Sequence, residues 1–221
     1  MPSLPIATPL QRARAWLNMH LVDHGFIRAA YSNFGALGGD MYRCSQPSPA
    51  QVRRYHESLG IRSILNLRGP NPYGSYPLEQ EVCEHLGIAL IDLPIYSRRA
   101  PRAEEVLALQ HTFATLQYPA LLHCKAGADR AGMASALYRI LHLEHPVEDA
   151  MAELSWRYGH FKQAKTGILD FFLATYVARN RQNPIPFITW VTTEYDWQAV
   201  EQAFESDGWA SLLVDKVLHR E

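Results

Sequence analysis

Short apolar runs alternate with helical segments through the middle of the 221-residue chain, and this alternation limits the fold more than any other feature. The runs are Met41–Arg43, Ser63–Leu67, Ala89–Ile95 and Ala120–His123. Each is too short for a helix and reads as a strand. The segments between them carry helix start and stop signals. Ser48-Pro49-Ala50-Gln51 offers a capping residue, a proline in the first turn and a glutamine that can close a capping box, and Gly60 ends that helix. Pro77–Leu86 reads as a helix stopped by Gly87. Pro101 opens another, to about Gln117, with Glu104 and Glu105 near its positive end. Arg130–Leu143 places Met133, Leu137, Ile140 and Leu141 at helical spacing, and helices are expected at 147–158 and 166–179. Strands alternating with helices predict an α/β fold, a central and mostly parallel sheet flanked by helices on both faces.

Helical extensions are expected at both ends. Residues 9–30 read as a helix followed by an irregular lead-in. Beyond Gln182 the prolines Pro184 and Pro186 break the last core helix, and Phe187, Trp190, Tyr195, Trp197, Phe204 and Trp209 follow. The expected parts are a lead-in over 1–39, a main domain over 40–182 and an aromatic-rich extension over 183–221 packed on it.

Composition narrows the function. With 48% apolar and 19% charged residues, the chain can bury a sizeable core. A formal charge of −1 supplies no general basic field, so a nucleic-acid partner is not expected, and holding an anionic membrane would need a local patch. Seventeen of the 21 basic residues are arginine, the better fork for oxyanions. Cys44, Cys83 and Cys124 are too few and too far apart for a disulfide framework or a zinc site, which suits a reducing compartment. No apolar run is long enough to span a bilayer, and Arg12, Arg14 and His20 interrupt what would be a signal-peptide core. The expectation is a soluble, cytoplasmic protein without a transmembrane segment.

The segment richest in chemistry is Leu121-Leu122-His123-Cys124-Lys125-Ala126-Gly127-Ala128-Asp129-Arg130-Ala131-Gly132. A strand ends at His123, a loop turns, and a helix starts near Arg130. In open α/β sheets, ligands sit beyond the carboxyl ends of the strands. Successive amides of Lys125, Ala126, Gly127 and Ala128 can point inward at phosphate oxygens, and Gly127 permits the backbone geometry. Arg130 supplies a bidentate fork, while the helix dipole and loop amides favour thiolate at Cys124. Thiolate attack on phosphorus would give a phosphocysteine that water hydrolyses. Chance alone would give His-Cys-x-x-Gly-x-x-Arg about 6 × 10⁻⁴ times in a chain of this composition.

These residues resemble the signature His-Cys-x5-Arg of the cysteine-dependent protein tyrosine and dual-specificity phosphatase superfamily. The stretches Tyr42-Arg43-Cys44-Ser45-Gln46-Pro47-Ser48 and Gly60-Ile61-Arg62-Ser63-Ile64-Leu65-Asn66-Leu67-Arg68 are similar to the entry of its small bacterial and atypical dual-specificity members. The resemblance covers roughly 40–180. It implies Cys124 as nucleophile, Arg130 as clamp on phosphate and transition state, and His123 as tuner of the thiolate. It implies no metal or other cofactor.

Two positions depart from the family pattern. Where the family usually has Ser or Thr after the arginine, this chain has Ala131, so hydrolysis of the phosphoenzyme is expected to be slow. The loop that usually carries a general-acid aspartate reads Tyr96-Ser97-Arg98-Arg99-Ala100-Pro101, with no carboxylate. Asp129, in a position similar to that in the myotubularin phosphoinositide phosphatases, is one candidate replacement. Asp92 is another, and a third alternative is that neither serves. Arg98, Arg99 and Lys125 are expected around the pocket, where they suit a phosphorylated protein, an inositol phosphate or a lipid headgroup. Competing readings are a phosphate-binding pseudophosphatase with little turnover, and sulfur transfer or arsenate reduction; the last commonly needs a resolving cysteine.

Overall fold

A computed structural model describes residues 4–206. Trp209 and the rest of 207–221 lie outside the described residues. The strands are β1 (Gly35–Gly38), β2 (Met41–Ser45), β3 (Ser63–Asn66), β4 (Ala89–Asp92) and β5 (Ala120–Cys124). They form one sheet in the order β1-β2-β5-β3-β4. β1 runs antiparallel to β2, and the other pairings are parallel. The fold is therefore α/β with a mostly parallel sheet. The register sets Ser45 beside Cys124, and Asn66 beside His123.

Helices α1 (Pro9–Leu17) and α2 (Gly25–Ala30) bracket a π-helical turn, Asn18–Val22. Then come α3 (Pro49–Leu59), α4 (Ser75–Leu86), α5 (Ala103–Thr115), α6 (Asp129–Leu141), α7 (Val147–Ala150), α8 (Ile168–Gln182), α9 (Phe187–Thr193) and α10 (Trp197–Ser206). The capping box at α3 forms as the sequence predicts: the Ser48 hydroxyl accepts from the Gln51 amide, the Ser48 amide donates to Gln51 Oε1 at 2.9 Å, and Gly60 closes the helix at φ +69°.

Several elements differ from expectation. β1 is a strand of Gly-Ala-Leu-Gly, which has no β-branched or aromatic residue to announce it. β4 stops at Asp92 rather than Ile95, just before Pro94, which has no N–H to donate. The helix expected over 147–158 is α only in Val147–Ala150. Ser155 then takes extended backbone and caps a separate 3-10 turn, Trp156–Tyr158, which interrupts the helix.

The chain divides into two compact units. The first comprises residues up to Pro94 together with Thr115–Ala131, and so holds the whole sheet with α1–α4. Cys44, Ile64 and Leu121 from the strands pack with Val52 and Tyr55 of α3 and Val82 and Cys83 of α4. Burial pushes both the Cys44 and Cys83 thiols up. On α1 and the turn after it, Ala15 and Met19 pack against Leu78 of α4.

The second unit comprises Ile95–Ala114 together with residues from Gly132 onward. Phe113 meets Tyr138 edge-on, with ring centres 5.3 Å apart. Fully buried Phe172 of α8 touches Phe187, Trp190 and Tyr195, and Phe171 touches Phe204 of α10. The Tyr195 hydroxyl donates to the Pro101 carbonyl at 2.7 Å. Among the described residues, no helix is long and apolar enough to cross a membrane.

Because three aromatic rings close on Phe172, Phe172→Ala is expected to cost about 3–5 kcal/mol. Urea unfolding should show this as a lower midpoint. A change well below 1 kcal/mol would mean that the C-terminal rings do not close on that side chain.

Candidate active site

The site begins at the end of β5, where Cys124 is the last strand residue and α6 starts at Asp129. The four carbonyls of the intervening turn have named donors. The Lys125 carbonyl accepts from the Gln46 amide at 3.2 Å, and the Ala126 carbonyl accepts from Asn33 Nδ2 at 2.7 Å. The Gly127 and Ala128 carbonyls both accept from Nη2 of Arg43, at 2.7 and 3.4 Å. In a planar trans peptide the N–H points opposite to the C=O. Holding these four carbonyls therefore turns the amides of residues 126–129 the other way. The Gly127 amide shows which way that is, since it donates to Sγ of Cys124 at 3.2 Å.

Two features make that turn specific. Gly127 has φ +73°, and an added Cβ would meet the Ser45 amide nitrogen at 2.7 Å. Here glycine is required by both backbone angle and space. Arg43 is fully buried within β2, so its guanidinium reaches the turn from below as a fixed part of the sheet. Cys124 retains 3% exposure at the floor of the turn.

A buried polar chain runs alongside. His123 Nε2 lies 2.9 Å from Glu79 Oε1, and both side chains are fully buried. The approach is close but lacks the alignment of a hydrogen bond. Glu79 Oε2 accepts from Gln46 Nε2 at 2.6 Å, and Gln46 Oε1 accepts from Arg68 Nη1 at 2.9 Å. Arg68 in turn grips Asp23 with both ends of its fork, at 2.9 and 3.0 Å. Asp23 also accepts from Ser75 Oγ at 2.6 Å and Arg28 Nη2 at 3.0 Å, and lies 3.3 Å from Lys125 Nζ. Burial alone would push the Asp23 carboxyl up. The hydrogen bond and charge of Arg68, with Ser75 and Arg28, outweigh that and hold it at about 2.

The model of PTP-SAK, described as "Swiss Army Knife protein, DSP-PTPase phosphatase domain", matches residues 39–163, more than half of the chain. The chain belongs to this family. It carries a phosphatase domain of the dual-specificity type, in the cysteine-dependent superfamily that its loop resembles. No match is found among curated proteins.

Solved structures agree on the fold of this PTP-SAK chain. TpbA of P. aeruginosa superposes with a TM-score of 0.54 at 17% identity, over 79% of this chain and 92% of its own. A variant of TpbA in complex with pTyr gives 0.53 at 16% identity, over 79% and 91%. The core catalytic domain of the PP-IP phosphatase Siw14 from S. cerevisiae, in complex with citrate, gives 0.51 at 23% identity, over 70% and 94%.

The sequence-expected residues fall into three groups in this PTP-SAK domain. His123, Cys124, Lys125, Ala126, Gly127, Ala128, Asp129 and Arg130 are brought together in and around the turn. Arg130 is half-buried, with Nη1 3.5 Å from the Leu67 carbonyl oxygen at the exit of β3. Asp92 is otherwise engaged: it accepts from Tyr76 Oη at 2.5 Å and from Asn66 Nδ2 at 2.8 Å, one bond to each carboxylate oxygen. Burial and this bond to Asp92 push the Tyr76 hydroxyl up, so it stays a donor. Arg98 and Arg99 belong to the second unit. There Arg99 pairs with Glu105 at 2.6 Å and stacks over Tyr96, while Arg98 is exposed.

The sequence pattern does not mark Arg43, Asn33, Glu79 or Asp23 as site residues. Arg43 did carry a signal, being a charged residue inside an apolar strand pattern. Asp23 lies 45 residues from Arg68 and 52 from Ser75, so no local spacing connects them.

Asp23→Ala would leave Arg28 and Arg68 without their shared buried anion, at an expected cost of about 3–5 kcal/mol. The pH dependence has a definite sign. A carboxyl held at about 2 when folded stabilises the protein above its unfolded value near 4, and that contribution disappears as pH falls through about 2. Denaturant titrations between those limits should therefore show the parent protein losing stability more steeply than the variant. Parallel curves would remove Asp23 from this role.

Proposed function

We propose that the protein hydrolyses phosphomonoesters through a phosphocysteine on Cys124. The observation that carries this reading is the outward tethering of the four loop carbonyls, with the Gly127 amide directed at Cys124 Sγ. Amides aimed at one point above a thiol form a cradle for the three non-bridging oxygens of a phosphate. Cys124 attacks phosphorus as thiolate. The S–P bond forms as the P–O bond to the leaving group breaks, and Arg130 holds two of the phosphate oxygens.

In this reading Asp129 gives its proton to the departing alkoxide, because Asp92 already has both carboxylate oxygens engaged within the first unit. Water then attacks phosphorus and the P–S bond breaks. The water proton returns to Asp129, and inorganic phosphate leaves. His123 acts from beneath as a positioning residue through Glu79, and Lys125 adds positive charge at the rim. Phosphorylated proteins, inositol phosphates and lipid phosphates all present the group that this cradle fits. The pTyr complex of TpbA and the PP-IP phosphatase Siw14 share the fold and support those classes.

Cys124→Ser is expected to abolish turnover while retaining vanadate or phosphate binding. Hydrolysis by that variant would end the covalent route, and a parent protein that binds phosphorylated ligands without turnover would point to a pseudophosphatase. Asp129→Asn should slow alkyl phosphates by about 10²- to 10⁴-fold. Aryl phosphates, whose leaving groups need little protonation, should be far less affected. Equal losses on both classes would place Asp129 outside the acid role.

A further inference from the structure

The lead-in before the sheet has a firmly seated inner face and an apolar outer face. Arg12 pairs with Glu81, Asn18 Oδ1 accepts from the Gly74 amide at 2.8 Å, and Asp23 holds Arg68 and Ser75. A Cβ at Gly74 would meet the Ala15 carbonyl at 2.0 Å, so α1 lies directly against the backbone there. Ala15 and Met19 face inward.

On the opposite side, Leu10 is 82% exposed, Leu17 61% and Leu21 66%. At about 100° per residue, spacings of seven and four put these three on one stripe, roughly opposite Ala15 and Met19. Val22, Phe26 and Ile27 follow in the same lead-in, each more than half exposed. A folded protein rarely leaves so many large apolar side chains together in water unless that surface docks on something.

Charge identifies the occupant. Between residues 4 and 34 the one acidic residue is Asp23, and it is buried. Arg14, on the same side as the leucines, is exposed. An apolar stripe beside the exposed cation Arg14, with Arg12 paired to Glu81 and no exposed acid within residues 4–34, fits the interface of an anionic bilayer. A second copy fits worse, because pairing this face with itself would bring Arg14 towards its counterpart with no acid to balance it.

We propose that the lead-in is a membrane-surface anchor, in which Leu10, Leu17, Leu21, Val22, Phe26 and Ile27 enter the headgroup region of an anionic bilayer. The anchor is continuous with the catalytic turn. Asp23 follows Leu21 by two residues and lies beside Lys125 Nζ, so the segment that meets lipid also holds the rim of the cradle. The inference stands independently of the phosphocysteine reading.

The test is co-sedimentation of the full chain with phosphatidylcholine vesicles, with and without phosphatidylserine. The protein is expected to pellet with the phosphatidylserine vesicles, less so as salt rises. The double variant Leu17→Glu with Leu21→Glu should lose at least about tenfold in partitioning at an unchanged thermal midpoint. Leu10→Glu provides a second, milder variant and should weaken partitioning in the same direction. The proposal fails if the parent protein stays in the supernatant with anionic vesicles, or if folded variants pellet as it does. A concentration-dependent dimer that the double variant dissolves, without vesicle binding, would assign the face to a second copy instead.

Discussion

The Cys124–Arg130 turn depends on one constraint, the direction in which four consecutive peptide groups face. Arg43, Asn33 and the Gln46 amide hold the carbonyls of residues 125–128 on one side. Peptide planarity then leaves the amides on the other side, where the thiol lies. Such a turn needs little reorganisation when an anion arrives, because its dipoles are already aimed. Gly127 completes the arrangement, since a side chain there would collide with the Ser45 backbone.

A second layer surrounds that turn. Arg68 and Asp23 form a buried pair with both partners satisfied, and Gln46 links the pair to Glu79 and so to His123. Buried charges of this kind add little net stability beyond what an apolar replacement would give, but they are costly to break. Their consequence here is positional. The lead-in, α4, the end of β3 and the Cys124–Arg130 turn all contribute to one polar chain, so the turn is braced by parts of the sequence far from it.

Much of the architecture was legible beforehand because local chemistry determines it. The capping box at Ser48, the glycine stops at Gly60 and Gly87 and the apolar core of β5 all act within a few residues of themselves. The Cys124–Arg130 turn was legible for the same reason. β1 was not, since Gly-Ala-Leu-Gly becomes a strand only by pairing with β2. The bracing residues Arg43, Asn33, Glu79 and Asp23 were hidden because their partners lie tens of residues away. Asp92 looked available in sequence, and only the fold reveals Tyr76 and Asn66 on its two oxygens.

The proposed mechanism requires that the sulfur of residue 124 take the phosphoryl group. Quenching the enzyme in alkaline denaturant, where an S-phosphate persists, within its first turnovers of an aryl phosphate, then mapping its peptides by mass without acid, reads this directly. The account predicts one phosphoryl group on the peptide containing Cys124, accumulating because Ala131 supplies no hydroxyl to help the thiolate leave. Steady release of inorganic phosphate with that peptide unmodified at every quench time would contradict it.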